Sequence, residues 1–269
     1  MSSELRELRL RSGLAAEEVA GALGFSMSKL SRIENGQRGL YADDVAALLG
    51  LYRVPAERRE TLLTLVRTAS SPNWWQVQGG RLPALEDLIR FENEAVTFHN
   101  YETMLVPGLL QTSEYAAALC EGAGRGFTAS EVHQFVNARM ARQTVLHSAK
   151  APNFVFLIEQ GVLERPIGGP GVMYRQLMHL HSSSSRENVT FQVVPTSAGA
   201  HPGLDGPFVL FEFKNHEDLV HVECRGSTSF LEEPEHVAAA REAIGRLCDV
   251  ALSPEDSAEL VLQAADGLT

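Results

Sequence analysis

The sequence predicts two domains, an N-terminal domain of five short helices and a larger C-terminal α/β domain with a small mixed sheet. Two observations support this α plus α/β architecture. Residues 1–68 have helical periodicity throughout, interrupted by Gly and Pro, whereas residues 84–269 alternate helical segments with short apolar strands. Residues 69–83 are rich in Ser, Pro and Gly, which indicates a linker. A chain of 269 residues is also long enough for two ordinary domains.

The five N-terminal helices are predicted from caps, breakers and apolar spacing. They are expected at 3–12, 15–23, 26–35, 42–51 and after Pro55. Gly24 supplies a tight turn between the second and third helices, and Ser26 is placed to cap the third. Two short helices joined by a brief turn that contains Gly form a helix-turn-helix unit.

The third helix has one apolar face and one small, polar and cationic face. Leu30 and Ile33 share the apolar face, while Ser28, Lys29 and Arg32 lie off it. Taken alone, this pattern is more typical of an ordinary amphipathic surface helix. With the turn and helix that precede it, the pattern favours a helix that enters the DNA major groove.

Charge is divided unequally between the two halves. Residues 1–70 contain 10 Lys and Arg against 9 Asp and Glu, and the remainder contains 13 against 25, which gives the net charge of −11. Because an acidic surface repels phosphate, only the N-terminal domain is expected to bind DNA. There is no CxxC pair among the three cysteines, no apolar run of membrane-spanning length and no signal-peptide core. We therefore expect a cytoplasmic, nucleoid-associated protein.

Residues 5–66 resemble the Xre family of helix-turn-helix regulators, which is related to Cro and the lambda-type repressors. The resemblance rests on Leu14, Glu17–Ala20, Leu23–Ser26 and above all the run Leu30–Gly36. It implies that Met27, Ser28, Lys29 and Arg32 face bases or phosphates and that Arg38 touches the DNA backbone. Because phosphate would repel the Glu34 carboxylate, Glu34 is expected to stabilise the fold. The chain departs from the family at Ala15-Ala16, where Thr-Gln is common. The assigned DNA-binding residues are Ser26, Met27, Ser28, Lys29, Ser31, Arg32 and Arg38.

One short helix reads only a few base pairs. A homodimer on an operator of double-stranded DNA is therefore expected, with half-sites about 34 Å apart. Lys29 and Arg32 could each donate to guanine or to phosphate, and Met27 could contact a thymine methyl group. Sequence alone does not sort base contacts from phosphate contacts.

The C-terminal domain is predicted to contain a small mixed sheet with helices packed on it. Helices are expected at 84–100, 112–121, 129–148, 170–184, 233–251 and 254–265, and strands at 153–158, 189–195, 207–213 and 219–224. The first two strands flank a helix, so they should be parallel. A short polar segment separates the last two strands, which indicates an antiparallel hairpin.

Most of residues 74–265 resembles the actinobacterial domain of unknown function that follows such helix-turn-helix modules in WhiJ-like, antitoxin-like regulators. The resemblance rests on Phe91–Ala95, Val106–Thr112, Tyr115-Ala116, Arg139, Arg142-Gln143, Gly168-Gly169 and Val193–Pro195. It implies transcriptional control, usually beside a gene for a small partner protein that binds the regulator. It implies no known ligand.

Two groups of residues are candidates for partner or ligand binding. Trp74 and Trp75 in the linker could anchor a partner, although packing against the second domain is the favoured interpretation. Arg139, Arg142 and Gln143 could bind a carboxylate or phosphate, but internal pairing with Glu92, Glu94 or Glu159 is favoured in so acidic a domain.

No residue pattern indicates a metal, a cofactor or catalysis. His179 and His181 are two apart and do not share a helix face, and the chain has neither HExxH nor Gly-x-Ser-x-Gly. Val106–Thr112 and Gly168–Gly171 are better explained as structural turns than as anion sites. The leading hypothesis is a non-enzymatic DNA-binding regulator whose C-terminal domain receives a signal, from a small protein or a small molecule. The alternative is an enzyme or antitoxin that uses the helix-turn-helix for autoregulation.

Overall fold

A computed structural model of the chain describes residues 2–35, 40–69, 83–122, 127–148, 151–214, 217–224 and 227–268. Several predictions fall outside these ranges. Gly36, Arg38 and the tryptophans Trp74 and Trp75 of the predicted linker are not among the described residues. Their assigned roles therefore stay predictions.

The N-terminal domain contains the helices that the sequence predicts. They are α1 (Ser2–Ser12), α2 (Ala16–Leu23), α3 (Met27–Glu34), α4 (Ala42–Leu51) and α5 (Ala56–Ala69). Leu5, Val19, Leu30 and Leu48 lie in one buried cluster, to which each of α1–α4 contributes. Gly24 has φ +66° at the end of α2, a left-handed conformation that strains residues with a side chain. The turn that separates α2 from α3 thus depends on this glycine.

The C-terminal domain combines helices with one mixed sheet. Its helices are α6 (Pro83–Glu94), α7 (Ser113–Gly122), α8 (Ala129–Arg142), α9 (Gly161–Glu164), α10 (Pro170–Ser184), α11 (Pro234–Val250) and α12 (Pro254–Asp266). Its strands are β1 (Thr97–Glu102), β2 (Asn153–Glu159), β3 (Val189–Val194), β4 (Phe208–Glu212), β5 (Leu219–Cys224) and β6 (Ser227–Leu231). Short 3₁₀ helices occur at Gly108–Leu110, Gln143–His147, Thr196–Ala198 and Pro202–Asp205.

The six strands are ordered β3-β2-β1-β4-β5-β6. Strands β1, β2 and β3 pair in parallel, and β1-β4, β4-β5 and β5-β6 pair antiparallel. The predicted mixed sheet, the parallel pair β2-β3 and the hairpin β4-β5 are therefore confirmed.

Two strands were missed. The helix predicted over 84–100 ends at Glu94, and a strand begins at Thr97. That strand is central, because it pairs with both β2 and β4, and tertiary pairing overrides the local helical pattern there. Strand β6 is a polar edge strand, so its sequence lacks the apolar run by which the other strands were recognised. The helix predicted over 129–148 ends at Arg142 and continues as a 3₁₀ turn.

Helices cover both faces of the sheet. On one face, Phe98, Phe154, Phe156 and Phe211 join a large aromatic and aliphatic core with residues of α6, α7, α10 and α12. On the other face, α11 packs through Ile244 and Leu247 near its end and Val237 and Ala240 near its start. Because α11 begins just after β6, this packing fixes the position of its acidic N-terminal turn.

Candidate DNA-binding helix and its contacts with the C-terminal domain

Helix α3 is held rigidly within the N-terminal domain. Leu30 and Ile33 are each 1% exposed and face the core. The Ser26 hydroxyl accepts a hydrogen bond from the Lys29 backbone N–H at 3.0 Å, which caps the helix. Glu34 accepts hydrogen bonds from Arg9 at 2.6 and 2.8 Å. Glu34 thus stabilises the fold, as expected. The Ser26 hydroxyl is occupied by the cap of the helix.

The solvent-exposed face of α3 is narrow and polar. Met27, Ser31 and Asn35 are exposed and lie four residues apart, so they form one stripe along the helix, and Ser28 beside them is half-buried. Asn35 donates a hydrogen bond to the Ser31 hydroxyl at 3.2 Å. This stripe, hereafter the exposed stripe, offers a thioether, hydroxyl groups and an amide, all of which suit contacts with base edges.

Lys29 is buried between carboxylates. Its ammonium nitrogen lies 3.2 Å from Asp44 Oδ1 of α4 and 3.3 Å from Glu233 Oε1, which precedes α11. The same nitrogen lies 4.2 Å from the centre of the Phe25 ring, within cation–π range. The side chain is 6% exposed, so in this arrangement its positive charge is paired with carboxylates of the protein and does not face solvent.

Arg32 is buried one helical turn further on, against the C-terminal domain. Its terminal nitrogen Nη2 lies 2.7 Å from Glu232 Oε1, and its guanidinium carbon lies 5.9 Å from the Phe91 ring centre. Glu232 is 4% exposed. Arg32 Nε and Nη2 are both buried and neither has a hydrogen-bond partner among the described residues, so the contact with Glu232 is an ion pair without hydrogen-bond geometry. The two cations predicted to face DNA therefore both contact adjacent carboxylates of the C-terminal domain.

Electrostatics keep Glu233 ionised at neutral pH. Burial raises the pKa of Glu233, but a hydrogen bond from the backbone and the Lys29 ammonium outweigh it, so the pKa is lowered from its ordinary value. The contact with Lys29 is thus between charged groups at physiological pH.

A cleft of about 460 Å³ lies beside these ion pairs. The N-terminal domain lines it with Phe25, Ser26 and Lys29, and the C-terminal domain lines it with Glu233, Val237 and Arg241, among others. Residues of both domains therefore line the same cleft, beside the ion pairs.

Arg142 and Arg139 differ in how they are paired. Arg142 donates to both oxygens of Glu92, at 3.2 and 2.5 Å, which is the internal pairing that the sequence favoured. Arg139 donates to the Gln111 side chain at 2.9 Å and lies over the Phe135 ring, and no carboxylate of the described residues is within ion-pair distance. Burial, aided by the positive charge of Arg142, lowers the pKa of Arg139 to about 10.

Gln143 and its neighbours fasten the segment Val106–Thr112. Gln143 donates to the Gln111 carbonyl at 2.6 Å, and the Gln111 side chain donates to the Val106 carbonyl at 2.7 Å. Gln176, which is fully buried, donates to the Leu110 carbonyl and accepts from the Thr112 backbone N–H. These bonds describe a structural corner, which is the interpretation that the sequence favoured for this segment.

Sequence reasoning missed Glu232, Glu233 and Asp44 as neighbours of α3. Glu232 and Glu233 follow Lys29 by about two hundred residues, and two carboxylates before a helix-starting proline are a common local pattern. One signal in the sequence could have indicated this contact: α3 carries two cations, Lys29 and Arg32, and the other half of the chain is acidic.

Two global properties complete the site description. Within the ranges that the structure describes, no three His, Cys, Asp or Glu side chains are grouped closely enough to hold a metal ion. No described helix has the length and hydropathy needed to cross a membrane.

Comparison with known families assigns both domains. Residues 1–62 match the family model for a helix-turn-helix domain, so the chain has a DNA-binding module of the helix-turn-helix class. Residues 85–263 match the model for a domain of unknown function (DUF5753). Because that match covers most of the chain, the protein belongs to the DUF5753 family. Searches of curated proteins and of solved structures each found no match.

These matches confirm the predicted combination of a helix-turn-helix domain with a C-terminal domain of unknown function. Membership of the Xre family and the antitoxin-like character of the chain stay predictions. The same holds for the DNA contacts assigned to Ser26, Met27, Ser28, Lys29, Ser31, Arg32 and Arg38.

Proposed function

We propose that this protein is a sequence-specific transcriptional regulator that binds operator DNA through α3. The exposed stripe of Met27, Ser31 and Asn35, with Ser28 beside it, is the observation that supports this proposal most directly. A rigid helix with a capped start and small polar side chains suits the major groove, which is about 12 Å wide. The helix-turn-helix family match supports the same assignment.

The first test is selection of binding sites from a pool of random duplexes with the full-length chain. We expect enrichment of one sequence motif, present as two copies if the protein binds as a homodimer. A pool without an enriched motif after selection with the natural chain and with E232Q/E233Q, which lacks the carboxylates that contact α3, would contradict the proposal.

A variant with two added negative charges tests whether the exposed stripe faces DNA. S28E/S31E places carboxylates where phosphate and base acceptors would lie, so we expect about a hundredfold or greater loss of operator affinity. The matched control is S182E/S185E, which adds the same charges to exposed positions of α10 and its end in the other domain. Equal affinity losses in both variants would indicate a general charge effect instead of a defined DNA-binding face.

Lys29 and Arg32 are proposed as further DNA contacts once they are released from Glu233 and Glu232, with Asp44 of the same domain remaining beside Lys29. K29A/R32A should therefore lose operator affinity while the C-terminal domain keeps its thermal unfolding transition. Both side chains carry a positive charge on the same helix as the exposed stripe, which supports a phosphate-binding role.

For the C-terminal domain we propose signal reception without catalysis, with a small partner protein as the first candidate and a small molecule as the second. The direct contacts of this domain with α3 support a role in controlling DNA binding. The test is operator affinity of the full chain, measured with and without the small protein encoded nearest its gene. Unchanged affinity, combined with a metabolite retained by the chain in native mass spectrometry, would favour the small-molecule alternative. Turnover of such a metabolite would favour an enzyme.

Neutralisation of a toxic partner is the antitoxin-like alternative. It predicts that the chain suppresses the toxicity of that partner when the two are produced together. S28E/S31E separates the two functions, because an antitoxin would retain suppression after its DNA binding is lost.

A further inference from the structure

We propose that Glu232 and Glu233 form an intramolecular clamp that occupies the DNA-contacting cations of α3, so that operator DNA and the C-terminal domain compete for this helix. This inference rests on the proposed function, because it concerns the regulation of the same surface. We define the clamp as Glu232 and Glu233 with their partners Arg32 and Lys29.

The clamp matches two adjacent carboxylates to two cations that lie one turn apart on α3. Glu233 is 3.3 Å from Lys29 and Glu232 is 2.7 Å from Arg32. Carboxylate oxygens thereby lie at ion-pair distance from the same nitrogen atoms that phosphate oxygens would need to approach. A guanidinium whose side chain is 10% exposed cannot also reach a DNA backbone.

The clamp also blocks access by shape. The Arg32 flank of α3 is covered by Glu232 and by the Phe91 ring of α6. A helix that enters the major groove, about 12 Å wide, lies between walls that carry the phosphates, so protein packed along its flank meets those walls. The exposed stripe remains open, but one of its two flanks is occupied by the C-terminal domain.

Aromatic packing extends the contact and fixes its orientation. Tyr41, which precedes α4, lies edge-on to Phe230 of β6, with ring centres 6.5 Å apart. Phe230 in turn packs against Phe91, whose ring centre is 5.1 Å away. The clamp carboxylates follow Phe230 by two and three residues, so the same short segment provides both the ring contact and the charges.

The contact between α3 and the C-terminal domain has features that allow it to open and close. Among the described residues it includes ion pairs and ring contacts, and the cleft of about 460 Å³ lies directly beside it. Glu233 retains 28% exposure, so water and salt reach one of the two pairs. A ligand or partner that binds the separated state better than the joined state would shift this equilibrium and release α3.

The test compares two isosteric variants of the full-length chain. E232Q/E233Q removes both clamp charges and keeps side-chain size, while E255Q/E259Q removes the same charge from exposed positions of α12. Operator affinity is measured by fluorescence anisotropy on the duplex obtained by selection with either the natural chain or the clamp variant. We expect E232Q/E233Q to bind about tenfold more tightly than the natural chain, and E255Q/E259Q to remain within about twofold of it.

The outcomes separate this inference from the proposed function. If the natural chain and E232Q/E233Q bind the operator equally well, the clamp is overturned and the proposed function stands. If neither chain selects any duplex, the proposed function fails and the clamp fails with it. Equal gains in the clamp variant and in E255Q/E259Q would reduce the effect to net charge and also overturn the clamp.

Hydrogen exchange provides a second readout that does not depend on a variant. Addition of operator DNA to the natural chain should slow amide exchange in α3 and accelerate it at the start of α11, because the clamp must open. Slower or unchanged exchange at the start of α11 in the DNA-bound chain would show that DNA binds without opening the clamp, and would overturn the inference.

Discussion

Two arginine–glutamate contacts in this protein are equally buried but differ in what they join. Arg142 and Glu92 lie within the C-terminal domain and form two hydrogen bonds. Arg32 and Glu232 join the two domains through an ion pair at 2.7 Å, and neither Arg32 Nε nor Arg32 Nη2 has a hydrogen-bond partner among the described residues. The first pair is geometrically complete and enclosed by a single core, whereas the second leaves bonding capacity unused. This difference indicates that the first contact is structural and the second is exchangeable.

The largest effect is expected when the intradomain pair is broken. R142M removes the partner of Glu92, whose side chain is 1% exposed, and an unpaired buried carboxylate costs about 3–5 kcal/mol. Urea unfolding of the C-terminal domain, followed by circular dichroism, should show this loss of unfolding free energy. The control is R175M, which breaks the solvent-exposed pair with Glu114 and should leave the unfolding free energy nearly unchanged, because water screens that pair. Comparable losses in the two variants would contradict the structural role of Arg142.

Protonation of His221 makes the stability of the same core depend on pH. Burial, with the charge of Arg142 as a second cause, lowers the pKa of His221 to about 4. The unfolded chain then binds more protons than the folded one between that value and the ordinary value of 6.5, so the neutral imidazole stabilises the fold above pH 6.5 and the stability is lost as pH falls towards 4. Between pH 7 and pH 5, we expect His221 to account for about 2 kcal/mol.

The measurement for His221 is the unfolding free energy of the natural chain and of H221Q at both pH values. The natural chain should lose more stability on acidification than H221Q does. An identical pH dependence in the two chains would mean that His221 is not held neutral by this core.

Glu102 titrates with the opposite sign and must be separated from His221. Burial, supported by the nearby Glu223 carboxylate, raises the pKa of Glu102 to about 7. The folded chain therefore keeps a proton that the unfolded chain releases, and stability is full below pH 4.5 and falls as pH rises through 7. Relative to the natural chain, E102Q should gain about 3 kcal/mol at pH 7 and about 1 kcal/mol at pH 5. A gain that is independent of pH would refute the raised pKa.

The smallest effect on stability is expected for the interdomain pair. R32M should cost only about 1 kcal/mol of unfolding free energy, because the domains can separate and let water hydrate Glu232. The same urea titration measures it beside R142M. If R32M lowers the unfolding free energy as much as R142M does, the interdomain contact does not open, and the expected difference between the two arginine–glutamate pairs is wrong.

Part of the fold could be predicted because its signals are local. The Ser26 cap, the Gly24 turn and the Leu30 and Ile33 spacing each depend on neighbours within a few residues. Strand β1 could not be predicted in this way, because its position is set by β2 and β4, which are distant in the sequence. Strand β6 was missed for a related reason, since a polar edge strand is identified by its pairing partner.

In the candidate site, too, some features follow from the local sequence and others from distant contacts. Sequence alone determined that a helix-turn-helix is present and that Lys29 and Arg32 lie off its apolar face, because helical periodicity fixes direction around an axis. Only the tertiary structure decided what those cations contact. Packing of α11 on the sheet brings Glu232 and Glu233 to α3 from about two hundred residues away. Charge pairing across such a separation depends on three-dimensional placement, and no local pattern in the sequence records it.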